Sequence, residues 1–145
     1  SNELMDLTDL YMIALRLAGI STDVLPTNLY YDGIDQTSFL LAENGHSLRQ
    51  TIFLWAGMDF CAIRWKDYKI HFQIFDTKDA RRNLDASLLS KVPYPWVFNL
   101  NVDPKEQASE GHRWFEWGIP AVIAFQKRHF GTIKKYPNTD LGLSF

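Results

Sequence analysis

Arg64, Lys69, His71 and Gln73 recur at alternate positions on two short runs, Asp59–Trp65 and Tyr68–Phe75, that fold back on each other at Lys66-Asp67. In that register Trp65 faces Tyr68, Arg64 faces Lys69, Ile63 faces Ile70 and Cys61 faces Phe72. Side chains alternate between the two faces of a strand, so Cys61, Ile63, Ile70, Phe72 and Ile74 share one face. Arg64, Lys69, His71 and Gln73 share the other. A guanidinium, an ammonium and an imidazole on one face are the groups that hold an anion through charge-assisted hydrogen bonds. Arg64, Lys69 and His71 are therefore candidates for the rim of a cleft that receives an anionic ligand. The plainer reading is a solvated outer face or an intramolecular ion-pair site. Arg64 opposite Lys69 sets like charges against each other, so the face requires an acidic partner or water.

The remaining reactive types are scattered. His46, His112 and His129 lie far apart, without the close pairs of a zinc site. Cys61 alternates within a strand and reads as a small buried side chain. Trp114, Phe115 and Trp117 beside Arg113 offer rings for stacking on a sugar, or for docking a terminal helix on its sheet. No glycine-rich phosphate loop, nucleophile elbow or calcium-binding Asp-x-Asp-x-Asp-Gly run is present.

The elements that position these residues follow from periodicity. Asp6 is suited to cap a helix over 7–18, with Leu7, Leu10, Tyr11, Ala14 and Leu17 at helical spacing and Gly19 at its end. The rest of that helix carries only Asp9 and Arg16 as charged residues, so it needs cover on most sides. Residues 21–35 read as an ordered loop, 37–43 as a short helix, and 51–55 as a strand leading into the ribbon. Lys66-Asp67 is not the pair a tight primed turn prefers, which leaves a longer loop with a shifted register as the alternative. Residues 76–95 lack a clear period, and helix over 80–90 is one reading of part of them. Residues 96–100 form a fourth strand, 112–118 suggest a helical turn, and 120–136 a final helix with Val122, Ile123, Phe130 and Ile133 inward. The expected fold is α+β: a four-stranded antiparallel sheet, the long C-terminal helix packed across it and an N-terminal helix alongside.

At 145 residues the chain is one domain's worth, with 46% hydrophobic and 14% aromatic residues, the profile of a packed protein. A net charge of −2 gives no reason to expect nucleic acid or an anionic membrane as partner. A single cysteine excludes an internal disulfide framework. No apolar run approaches the ~20 residues of a membrane span.

Ala62-Ile63-Arg64-Trp65 followed by Tyr68-Lys69-Ile70-His71-Phe72 resembles the Ala-Val-Arg-x-Gly-x-Tyr-Lys-x-His-Phe hairpin near the C-terminus of arylsulfatase-type sulfatases. Asp6-Leu7 through Leu17-Ala18-Gly19, then Tyr31-Asp32-Gly33-Ile34-Asp35, resembles the same family's Asp-Leu…Leu-Ala-Gly…Asp-Gly-x-Asp passage. Pro95-Trp96-Val97-Phe98-Asn99-Leu100 running into Asp103-Pro104-Lys105-Glu106 resembles its late strand and Asp-Pro-x-Glu. The resemblance implies a single domain over 1–145, the C-terminal part of a sulfuric ester hydrolase. Residues 1–45 would come from the junction with the catalytic domain, and 46–145 would hold the sheet and C-terminal helix. It implies calcium and a formylglycine for the parent enzyme, a sulfated small molecule or carbohydrate as its substrate, and export to the periplasm or beyond as a frequent location. The catalytic N-terminal domain is the implied partner, and apolar surface exposed without it favours self-association of this chain.

The formylglycine arises in such enzymes from Cys/Ser-x-Pro-x-Arg. The only cysteine here sits in Cys61-Ala62-Ile63-Arg64, Ser90-Lys91-Val92-Pro93 has its proline one place late, and no Asp-Asp pair occurs. The chain is thus expected to be scaffold and cleft rim, inactive alone, with no catalytic or metal-binding residues of its own. The alternative is a stand-alone binding or interaction module derived from a sulfatase.

Overall fold

The computed structural model describes residues 3–75, 89–109 and 115–137. The chain divides into two compact units, residues 1–49 with 123–145, and residues 50–122.

In the first unit, α1 (Asp9–Leu17) is closed at both ends by its own sequence. Asp6 accepts from the Thr8 N–H at 3.0 Å and the Thr8 hydroxyl at 2.9 Å, while the Asp6 N–H donates to Asp9 Oδ2 at 2.9 Å. This reciprocal pair satisfies donors that a helix start otherwise leaves open. At the far end Gly19 adopts φ +71°, its N–H donates to the Arg16 carbonyl, and that of Ile20 to the Leu15 carbonyl. That is the left-handed C-terminal motif foreseen at Gly19. The faces of α1 differ from the sequence pattern. Ile13 and Asp9 are buried, whereas Leu7, Leu10, Tyr11 and Leu17 are exposed. Asp9, expected as one of the few charges on the outer side, is 0% exposed because its lone pairs are taken up by partners within this unit.

Residues 21–35 include a single 3-10 turn, Thr22–Val24, and α2 follows at Thr37–Leu41. Gln36 is buried: its amide donates to Ser47 Oγ at 2.9 Å and its carbonyl accepts from the Leu48 N–H at 3.0 Å. The last helix, α3, spans Ile119–Lys135, with Pro120 in the first turn, where its missing N–H costs nothing. Of the four inward residues expected here, Val122 is buried, but Ile123 and Phe130 are 40% and 41% exposed. The less exposed side runs instead through Phe125, Gln126, His129, Thr132 and Ile133, a helical period with polar residues in it.

The second unit is built on an antiparallel sheet of order β1-β2-β3-β4: Thr51–Ala56, Asp59–Trp65, Tyr68–Phe75 and Leu89–Asn99. The central ribbon has the foreseen register, Trp65 with Tyr68, Arg64 with Lys69, Ile63 with Ile70, and continues to Ala62 with His71. Its paired positions end there, so Cys61 and Phe72 do not form the cross-strand pair expected of them. The turn is the tight version: Lys66 takes φ +52°. Neighbouring strands make that possible. The Lys66 N–H donates to the Gln50 carbonyl at 3.3 Å, and the Asp67 carbonyl accepts from the Leu100 N–H at 2.7 Å. Tertiary hydrogen bonds here outweigh the local preference for Asn-Gly.

The fourth strand is longer than foreseen, running from Leu89 rather than Trp96. Between the pairs His71–Trp96 and Gln73–Lys91 the register slips, so Phe72 alone stands against Val92–Pro95. Pro93 and Pro95 lack the N–H a regular ladder needs, which accounts for a bulge at that place. The suggested helix over 80–90 falls mainly outside the described residues, and its last two positions, Leu89 and Ser90, are strand.

Ile63, Ile70 and Val97 fill one face, with Trp65 and Tyr68 beside Phe115 and Trp117. Phe115 is 1% exposed, with its ring 4.9 Å from Tyr68 and 5.9 Å from Trp65. The short turn Phe115–Gly118 closes through the Gly118 N–H on the Phe115 carbonyl. Residues 112–114 of the suggested turn, Trp114 among them, lie outside the described residues.

Candidate functional site

The opposite face of the sheet carries two rows set by the register: Ile52, Arg64, Lys69, Phe98, and Leu54, Ala62, His71, Trp96. Lys69 and His71 lie two apart on β3, so they project from the same side. The acid this cationic face requires is Glu106. Its Oε1 accepts from Lys69 Nζ at 2.6 Å and its Oε2 from His71 Nε2–H at 2.6 Å. The Phe98 ring stands edge-on to the imidazole at 5.5 Å. Gln73, on the same side, donates to the Phe60 carbonyl at 3.0 Å.

Glu106 is carried by the segment after β4. The N–H groups of Val102 and Asp103 donate to the Asn99 carbonyl, and that of Ala108 to Asp103 Oδ2 at 2.8 Å. Ser109 Oγ bridges the N–H and carbonyl of Val97 at 3.3 Å each. Within this folded loop Glu106 has φ +55°. A left-handed backbone costs a non-glycine residue about 1–2 kcal/mol. Two charge-assisted hydrogen bonds offset it.

Burial would raise the Glu106 carboxyl, but the hydrogen bonds from Lys69 and His71 outweigh it and hold the group below its ordinary value. Burial lowers His71, and the Lys69 ammonium adds to that, against the upward pull of Glu106. At neutral pH the cluster is a lysine cation, a carboxylate and a neutral imidazole, and its charges cancel. Arg64 stands apart. Its Nε donates to the Lys66 carbonyl at 3.4 Å, and among the described residues it has no carboxylate partner. Of the three residues singled out by sequence, Lys69 and His71 are brought together on one carboxylate, and Arg64 occupies the next position on the same face.

Glu106 itself was visible only as the end of Asp103-Pro104-Lys105-Glu106. A second ion pair gave no sequence signal. Arg49 Nε donates to Asp9 Oδ2 at 2.8 Å, Arg49 Nη2 also engages Asp9 Oδ1, and Asp9 accepts from the Ile34 N–H at 2.7 Å. Arg49 further donates to the Asp32 carbonyl at 2.8 Å. Burial pushes Asp9 up, yet Arg49 and the backbone donors of Asp6 and Ile34 bring it below the ordinary range. Gly33 belongs to this arrangement, since a Cβ there would meet the Thr8 carbonyl at 2.3 Å.

Cys61 is half-buried, and its thiol donates to the Asp59 carbonyl at 3.3 Å. Burial pushes it up, with a hydrogen bond from Ala56 opposing and Asp59 assisting, so it is a protonated thiol rather than a nucleophile. Among the described residues no three of His, Cys, Asp and Glu gather where they would hold a metal ion. Among the described residues, therefore, no side chains are placed to hold calcium, and Cys61 is not in the setting from which a formylglycine arises.

A four-stranded antiparallel sheet with a helix at each end of the chain makes this an α+β protein. The crystal structure of the PsFucS1 sulfatase from Pseudoalteromonas sp. is similar to it at TM-score 0.88 and 60% sequence identity, covering 97% of this chain and 28% of that one. The chain belongs to the sulfatase family, as a C-terminal domain of an arylsulfatase-type sulfatase. It spans 28% of the length of the sulfatase it matches. No protein-family model and no curated protein matches it.

Proposed function

We propose that this chain is the C-terminal domain, over residues 1–145, of an enzyme that hydrolyses sulfate esters of aryl or carbohydrate alcohols. The observation that carries the reading is 60% identity to a sulfatase along 97% of the chain. Calcium and formylglycine, with the residues that bind and generate them, belong to a catalytic domain preceding these residues. This domain supplies scaffold and part of the cleft rim, through Arg64, Lys69 and His71. The exposed apolar side chains of Leu7, just before α1, and of Leu10 and Leu17 on it support a missing neighbour.

The test compares two chains. An open reading frame continued upstream into Cys/Ser-x-Pro-x-Arg is expected to release sulfate from an aryl sulfate in the presence of calcium. The 145-residue chain is expected to match a buffer blank. Turnover by the shorter chain would overturn the reading, and a frame opening immediately before Leu4 would leave a stand-alone binding module in its place.

A further inference from the structure

We infer that the outer face of α3 docks an acidic amphipathic helix of a partner protein, which sets apolar side chains on Ile123 and Phe130 and carboxylates on Lys127 and Lys134. The inference stands apart from the proposed sulfatase reading and uses none of the residues assigned to the cleft rim.

All of these residues belong to the first unit, where Tyr30 stacks on Tyr136, just past the end of α3, at 5.7 Å, and the Asp32 charge reaches His129. Those contacts fix which side of the helix is covered. The other side carries Ile123, Lys127, Phe130 and Lys134, all exposed and spaced four, three and four residues apart. Such spacing keeps them within one narrow stripe of an α-helix. Arg128 and Lys135, also exposed, stand one position further round. At Gly131, among them, an added Cβ would meet nothing within 4 Å, so the backbone there is open to close approach.

Charge decides the sign of the partner. The chain as a whole has a net charge of −2, yet α3 carries Lys127, Arg128, Lys134 and Lys135 and no acidic residue. Among the described residues no carboxylate pairs with any of these four cations. Spacing decides its form. A lipid surface takes an unbroken apolar stripe with cations to its sides, whereas here every second member of the stripe is an ammonium. An anionic polymer matches the charges but has nothing to set on Ile123 and Phe130, which are 40% and 41% exposed. A second helix repeats its side chains at the same period. Its apolar residues then meet Ile123 and Phe130 while its carboxylates meet the lysines between them. The stripe is about 17 Å long, shorter than a standard interface, so the complex is a transient one with affinity on the order of micromolar.

Fluorescence anisotropy of a labelled helical peptide tests the docking on the 145-residue chain. The peptide alternates Leu and Glu along one stripe, at the spacing of Ile123, Lys127, Phe130 and Lys134. It is expected to bind, with an affinity that falls as salt is added. A peptide of the same composition in scrambled order should bind more weakly by about tenfold. Lys127→Glu combined with Lys134→Glu should weaken the Glu peptide by about tenfold or more and admit a counterpart with Lys in place of Glu. No binding of the Glu peptide, equal binding of the scrambled peptide or of polyglutamate, or unchanged affinity in the double variant would overturn the docking site. Tighter binding of the chain to phosphatidylglycerol vesicles would replace it with a lipid surface. If the double variant fails to fold, the amide resonances of the unaltered chain read the same contact. Those of residues 123–135 must shift on adding the Glu peptide, and shifts confined to other residues would place the contact elsewhere and sink the assignment.

Discussion

Glu106 Oε2 lies 2.6 Å from His71 Nε2, joining a loop after the last strand to the centre of the third. Glu106 pulls the His71 titration upward against burial and Lys69. Replacing it with Gln removes that pull while keeping a hydrogen-bonding side chain. The His71 midpoint, followed by NMR, is expected to fall further below its ordinary value in Glu106→Gln. A midpoint that rises would show that the carboxylate does not act on the imidazole.

Stability should decline in acid in two stages. His71 is lowered from its ordinary 6.5, so below that pH the unfolded chain takes up a proton the folded one refuses. Its contribution is therefore complete above 6.5 and is lost as pH falls toward the depressed value. Glu106 and Asp9, lowered from 4.5 and 3.8, contribute above those values and lose their share as pH falls through the depressed ones. Urea midpoints measured across this range should decrease in that order, and the first stage should vanish in His71→Phe.

The Asp9–Arg49 pair is buried on both sides, so cutting one partner strands a charge in the interior. Asp9→Ala should cost about 3–5 kcal/mol of stability. Chemical denaturation measures this directly, and a loss below about 1 kcal/mol, the worth of an exposed ion pair, would contradict the burial.

The apolar row on α1 should make this chain associate with itself when the proposed catalytic domain is absent. Light scattering is expected to give a mass that rises with concentration. Substituting Leu7, Leu10 and Leu17 by Ser should return it to one chain's mass, since these side chains are exposed and their loss spares the core. A clean monomer at high concentration would count against the missing neighbour.

Much of this was legible in the residues, for identifiable reasons. The ribbon register was fixed by strict alternation on both arms, because a slip by one residue would send Ile63 and Ile70 to the wrong face. The need for an acid near Lys69 could be read from its pairing with Arg64. Which of the 17 acidic residues would supply it could not, since Glu106 arrives from 35 residues beyond His71 through a loop held by its own hydrogen bonds. The exposed side of α1 was misjudged for a related reason: periodicity finds an apolar stripe but not what covers it. Asp9 was hidden because its partner, Arg49, lies 40 positions away with no pattern joining the two. The fourth strand was cut short because Pro93 and Pro95 read as an end, whereas the sheet accommodates them as an interruption.

Those two prolines also bear on how the protein meets other chains. In the strand order β4 closes one border of the sheet, and a border of open N–H and carbonyl groups invites a foreign extended segment to align and zip along it. A crooked stretch of backbone, where the register with β3 slips, spoils that template. Contacts with neighbouring molecules are thereby channelled to side chains, and this border should resist seeding fibrils even while an oily helix leaves the molecule sociable elsewhere.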